Sequence, residues 1–138
     1  MSWASRYVGI PQADFGRSEM GCDCWGLARL VYARELGIGL PSYDGAYVSP
    51  DEHAEVAALI SGAEVDGPWH PVATPEPFDL LLFRRGRFRS HIGINVDTRH
   101  MLHMDGTEQA RIADIRAPRW SSRFCGAYRH VERGVQCL

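Results

Sequence analysis

Apolar residues Leu27, Ala28, Leu30, Val31, Ala33 and Leu36 recur at the spacing of one helix face, and the pattern stops at Gly37, a residue suited to a C-terminal cap. The spacing predicts a helix from about Asp23 to Leu36. Before it, Ser2 to Val8 carries a weaker helical pattern that Gly9-Ile10-Pro11 breaks, and Gln12 to Gly21 reads as a loop punctuated by Gly16 and Gly21. Gly37, Gly39 and Pro41 open a second loop through Tyr43-Asp44-Gly45. Ser49-Pro50-Asp51-Glu52 then has the make-up of a helix start, with Ser49 as cap, Pro50 at the first position and Glu52 closing a capping box. That helix is expected to run to about Ile60 and end at Gly62.

The periodicity changes after Pro68. Pro68, Pro71, Pro75 and Pro77 exclude a long helix, and Phe78-Asp79-Leu80-Leu81-Leu82-Phe83 is an apolar run of strand length. Arg84-Arg85-Gly86-Arg87 reads as a hairpin tip, and His91 to Val96 as the next strand. Asp97-Thr98 supplies a turn, Arg99 to Met104 returns as partner strand, and Cys125 to Val131 offers a late strand. Helices first and an antiparallel sheet afterwards predict an α+β domain, one layer of helix on one layer of sheet. With 138 residues, 45% of them hydrophobic, the chain supports one core and is read as a single domain, residues 1–138.

A formal charge of −2 and a pI near 6.3 give no electrostatic case for direct nucleic-acid binding or for a membrane surface. No apolar run reaches the length of a membrane span, so no membrane insertion is expected. Met1-Ser2-Trp3-Ala4-Ser5-Arg6 lacks the basic start and apolar segment of a signal peptide, so synthesis in the cytoplasm without general secretory export is expected. Of the cysteines, Cys22 and Cys24 form a C-x-C without the second ligand pair of a structural zinc site, so no metal is expected. A Cys22–Cys24 disulfide would be strained and would disable the thiol of interest.

Cys24 falls at the first turn of the predicted helix, where unpaired backbone N–H groups and the helix dipole favour thiolate over thiol. Alone, a cysteine there also reads as a buried small hydrophobe. The histidines downstream change the balance. Alternation in His91 to Val96 sends Ile92, Ile94 and Val96 to the core and His91 the other way, with Gly93 leaving room beside it. In the returning strand Met101 and His103 share a face, so a hairpin can bring His91 and His103 together. That is the arrangement of a general base and the group that orients it: His91 takes the Cys24 proton, and His103 holds the imidazole tautomer. His53, His70, His100 and His130 read as solvated or locally hydrogen-bonded side chains.

Asp23-Cys24-Trp25-Gly26-Leu27, Phe78 to Phe83, Ser90-His91-Ile92-Gly93-Ile94 and Leu102-His103-Met104 together resemble the NlpC/P60 family of cell-wall cysteine peptidases. The Gly21-Cys22-Asp23-Cys24-Trp25-Gly26-Leu27 form is most similar to the branch carried by phage tails and gene transfer agents, and the resemblance covers about Tyr7 to Tyr128. It implies a papain-like α+β core, with the nucleophile-bearing helix packed on an antiparallel sheet. It further implies hydrolysis of a peptidoglycan stem-peptide amide, D-γ-glutamyl to diamino acid, through an acyl-enzyme and without a cofactor. On this resemblance Cys24 is the nucleophile, His91 the base and then acid, and His103 the third member. Backbone N–H groups at the helix start stabilise the oxyanion.

One departure stands out. Where the family often has a tyrosine after the proline of a Gly-x-Pro-Tyr segment, this chain has Gly9-Ile10-Pro11-Gln12, so Gln12 is a candidate oxyanion donor or a plain loop residue. Asp23 either caps the helix or contacts a substrate amine, and Tyr7 and Phe15 either line the cleft or belong to the core. Arg84, Arg85, Arg87 and Arg89 are read as contacts to anionic wall polymer or a partner subunit, or as a solvated edge. The expected setting is a phage-like tail, with tail-tip or hub proteins as partners and action in the target's periplasm or wall. The alternative is a structural tail-tip subunit whose peptidase site is vestigial or occluded.

Overall fold

The computed structural model describes residues 3–13, 16–41, 69–85, 88–104 and 109–132. The helix predicted from Ser49, the Tyr43-Asp44-Gly45 loop and Phe15 lie outside them. A 3-10 turn at Trp3–Arg6 is followed by a short hairpin, β1 (Arg17–Ser18) and β2 (Gly21–Cys22), and then by α1 (Cys24–Val31). The helical run continues through Tyr32–Leu36 in a wider π turn and stops at Gly37, whose φ of +66° is left-handed. The expected helix is therefore present with its expected glycine stop, but its last turn changes pitch.

The strands β3 (Trp69–Val72), β4 (Leu80–Arg85), β5 (Phe88–Asn95), β6 (His100–Met104), β7 (Ala110–Asp114) and β8 (Phe124–His130) follow, with a short helix α2 (Pro118–Ser121) before β8. They form one six-stranded sheet in the order β3-β8-β4-β5-β6-β7, and every pairing is antiparallel. The β4–β5 hairpin is closed by Arg84 opposite Arg89 and Arg85 opposite Phe88, and the predicted β5–β6 hairpin is present. The structure adds β3, β7, α2 and the small β1–β2 hairpin. Pro71 is tolerated in β3 because that strand is a sheet edge.

Alternation divides the sheet. Leu80, Leu82, Ile92, Ile94, Leu102 and Tyr128 pack with Trp25, Leu27, Ala28 and Val31 of α1 in the main core. Leu81, Phe83, Met101 and Ala127 face the other way and are covered by Trp120 of α2. The start of β4 is pinned to β8 by a fully buried carboxylate. Asp79 accepts from Arg129 Nε at 3.0 Å and Nη2 at 2.8 Å, and also from the Glu76 backbone N–H at 2.7 Å.

Candidate active site

Asp23 is the N-cap of α1. Its backbone is extended, and its carboxylate accepts the Gly26 N–H at 2.7 Å, so the side chain closes the first helical turn. Cys24 is consequently the first residue of the helix and is 4% exposed, and neither it nor Cys22 is in a disulfide. Gly26 is required by close approach. A Cβ built there would lie 2.0 Å from the Gly16 carbonyl oxygen, so the loop that ends in the nucleophile motif presses directly on the helix. Trp25 is buried beneath, its indole N–H donating to the Pro41 carbonyl at 2.8 Å.

The Gly9-to-Ala13 segment ties the helix start to the sheet. On one side the Cys22 N–H donates to Pro11 and the Ala13 N–H to Cys22, both at 3.1 Å, which holds the Gln12 backbone parallel to Cys22. On the other side the Gly9 N–H donates to Ala110 at 2.9 Å and the Ala110 N–H to Ile10 at 2.8 Å. Gln12, half-buried, is thus held beside Cys22, two residues before the proposed nucleophile Cys24. Tyr7 lies in the core, its hydroxyl donating to Glu35 Oε2 at 2.6 Å. Burial, reinforced by the Glu35 carboxylate, pushes that hydroxyl far above the ordinary tyrosine range.

The histidines come from β5 and β6, the strands against which α1 packs. Gly93 is the direct partner of His103, so His91, two residues before Gly93 on the same face, is its diagonal neighbour. The rings span that diagonal: His91 Nε2 and His103 Nδ1 are 2.9 Å apart. Met101 takes the room beside Gly93, where an added Cβ would be 2.5 Å from its sulfur. Neither ring is on an open surface, His91 being 6% and His103 1% exposed. Trp120 stacks on His91 with centroids 5.1 Å apart and meets His103 edge-on at 4.9 Å, while Phe83 flanks His91 at 6.2 Å. Sequence reasoning missed Trp120, whose four-residue helix carries no period that would tie it to β5.

Of the remaining histidines, His70 is exposed and His100 is engaged by Asp97 at 3.0 Å. His130 is buried beside Trp69, accepts the Glu132 N–H and is held below the ordinary histidine value by burial. His53 lies outside the described residues. Among the described residues no three of His, Cys, Asp and Glu are grouped to hold a metal ion.

An antiparallel sheet, a helix headed by a cysteine, and two histidines hydrogen-bonded to each other on adjoining strands define the class: an α+β domain of the papain-like kind. Within it, the chain belongs to the NlpC/P60 family, whose sequence profile matches residues 13–129. It is 25% identical over 118 residues to the murein DD-endopeptidase MepS/murein LD-carboxypeptidase of Escherichia coli strain K12, which covers 86% of this chain and 54% of that protein. The chain thus spans about half the length of the curated relatives it matches. In fold it is similar to the NlpC/P60 domain of the peptidoglycan hydrolase SagA, with a TM-score of 0.61 at 20% identity over 91% of this chain and 92% of that one. A lipoprotein-like NLP/P60 family protein from Staphylococcus aureus subsp. aureus Mu50 gives a TM-score of 0.65 at 21% identity, over 93% of this chain and 39% of that one. The expected α+β architecture and the expected family are both borne out.

Proposed function

We propose that this domain is a cysteine peptidase of peptidoglycan stem peptides, with Cys24 as nucleophile, His91 as general base and acid, and His103 as the positioning residue. The observation that carries this reading is the 2.9 Å contact between His91 Nε2 and His103 Nδ1. In the tautomer pair that this reading takes, His91 donates from Nε2 and His103 accepts at Nδ1. His91 Nδ1 is then the proton acceptor, and the reading requires the Cys24 thiol to meet it.

The Cys24 proton passes to His91 Nδ1, and the thiolate attacks the scissile carbonyl carbon, forming a C–S bond. The oxyanion is stabilised by the Cys24 backbone N–H at the helix start, with the Gln12 amide as a second donor. The C–N bond then breaks, and His91 returns its proton to the departing amine. Water, deprotonated by His91, attacks the thioester, and the acid product leaves as Cys24 recovers its proton. The His91–His103 bond survives both protonation states of His91, so the pair need not rearrange during turnover.

The bond we propose is the D-γ-glutamyl to diamino acid amide. The Escherichia coli relative is named for DD-endopeptidase and LD-carboxypeptidase action, which makes the D,D bond the second substrate to offer. Incubation with defined muropeptides and mass analysis of the products distinguishes the two. Cys24→Ala should abolish cleavage by at least about 10³-fold while the protein melts normally, and a Cys24→Ala protein that still cleaves would end the reading. The delivery we propose, by a phage-like tail that carries the domain to the target wall, is supported by the form of the Gly21-to-Leu27 motif. Recovery of the chain in purified tail particles tests it, and its absence from them overturns it.

A further inference from the structure

A cavity of about 410 Å³ lies on the sheet face away from α1. Its walls are apolar where they belong to the sheet and α2 region, Leu81, Phe83, Ile115 and Phe124, and its rim carries Arg116 and Ser121. Phe124 is 46% exposed there, an unusual position for a phenylalanine ring.

The charge around this opening is one-sided. The sequence has no Asp or Glu from Leu80 to Ile94 or from Ile115 to Val131, and these stretches hold eight of the chain's 15 basic residues, four in each. The fold brings the two stretches together, because the Arg84 N–H donates to the Arg123 carbonyl at 2.8 Å and the Arg84 guanidinium reaches the Ser122 carbonyl at 3.5 Å. Arg84, Arg116 and Arg123 are all exposed. The carboxylates that flank the cavity walls are already engaged: Asp97 by His100 and the Arg99 N–H, Asp114 by Arg99 Nε and the Arg116 N–H. Of these basic residues Arg129 is paired with Asp79 and Glu76 and Arg119 lies over Trp120, so on a chain of net charge −2 the positive charge beside the apolar hollow is that of the exposed Arg84, Arg116 and Arg123.

We propose that this hollow docks an acidic peptide segment of a partner protein. One bulky apolar side chain seats among Leu81, Phe83, Ile115 and Phe124, and neighbouring carboxylates pair with Arg116 and Arg123. A buried apolar anchor ringed by arginine is the usual make-up of an interface hot spot, and the volume suits a single large side chain with its neighbours. A polyanionic wall polymer would use the arginines but leave the apolar walls unfilled, which is why a peptide fits better. The site shares its Phe83 wall with the flank of His91 but uses neither the proposed nucleophile nor the histidines, so the docking does not depend on the peptidase reading.

The test uses the full chain and a fluorescein-labelled hexapeptide, Glu-Asp-Leu-Trp-Asp-Glu, read by fluorescence polarisation. The expected result is saturable binding that weakens with salt, falls at least about tenfold in Arg116→Glu/Arg123→Glu, and falls at least about fivefold in Phe124→Ser. Muropeptide turnover in the double arginine variant should remain within about twofold of the parent, because neither arginine touches the proposed nucleophile or histidines. Equal affinity for the peptide with serine in place of leucine and tryptophan, equal affinity for poly(glycerol phosphate), or undiminished binding by the double arginine variant would each overturn the proposal. Loss of turnover in the parent chain with binding intact would remove the peptidase reading and leave the docking site standing.

Discussion

If His103 positions His91, removing its acceptor nitrogen should slow the chemistry more than it loosens the fold. His103→Leu keeps the volume beside Trp120 but offers no acceptor to the His91 Nε2–H, which is buried at 6% exposure and has its partner at 2.9 Å. A neutral hydrogen bond contributes about 0.5–1.5 kcal/mol and one to a charged group about 1.5–3 kcal/mol. Because His91 becomes an imidazolium only as the thiol loses its proton, the transition state gains the difference, about 1–2 kcal/mol, or about 5- to 30-fold in rate. Freedom of the unheld ring to take the other tautomer adds to this, so kcat/KM should fall about 10- to 100-fold. His103→Asn returns an acceptor oxygen and should recover most of the loss. The assay is paired: kcat/KM on a defined muropeptide, and the rate of Cys24 alkylation by iodoacetamide at neutral pH, which should fall in parallel. A His103→Leu protein that melts a few degrees lower yet keeps kcat/KM and alkylation within about twofold of the parent would refute the reasoning.

Three further outcomes follow from neighbouring groups. Asp79→Ala removes the carboxylate that takes two bonds from Arg129, leaving Glu76 at 3.3 Å, and should cost about 3 kcal/mol in urea unfolding, the lower end for a broken buried pair because Arg129 is a quarter exposed. A loss under about 1 kcal/mol would mean the pair is not what holds β4 to β8. His130 is held below its ordinary value by burial, with the Glu132 carboxylate opposing and His70 adding to the shift. Its neutral form is favoured by the fold, so that stability is full above the unfolded value near 6.5 and is lost as pH falls through the folded value. The melting temperature should therefore drop between pH 7.5 and pH 5 by more in the parent than in His130→Gln. Tyr7→Phe removes the hydroxyl held by Glu35 and should lower stability by about 1–2 kcal/mol with KM unchanged, whereas a raised KM at normal stability would put Tyr7 in the cleft.

The parts of the fold legible in the sequence are those where one period runs long enough to be read. Leu27 to Leu36 marks α1 and its π turn, and the strict alternation of His91 to Val96 assigns both faces of β5 correctly. β7 was not legible because Arg111 and Asp114 interrupt its apolar positions. It forms because β6 pairs along its whole length and the Gly9–Ile10 backbone pairs with Ala110. β3 was hidden by Pro71, which an edge strand accepts, and β1 and β2 are two residues each, too short for any period. The cap was legible for a local reason: Asp23 needs only the N–H three residues on.

What no period could supply is the cover over the histidines. Alternation puts His91 and His103 on the face opposite Ile92, Ile94 and Leu102, and a sheet face turned from the main core is ordinarily wet. Here Pro118 starts a single helical turn that carries Trp120 back over both rings, so the pair is dry on the side that spacing alone leaves open. Water would otherwise compete for His91 Nε2 and for His103 Nδ1, leaving the two rings free to turn independently. Excluding it makes each ring the other's partner and strengthens the bond between them in the lower local dielectric. Burial of that kind disfavours a lone charge, so in the proposed mechanism an imidazolium at His91 would need His103 accepting from it and a thiolate or oxyanion nearby to balance it. On that reading the cover over the ring would tie its protonation to the arrival of negative charge on sulfur, which is the coupling a cysteine peptidase needs from its base.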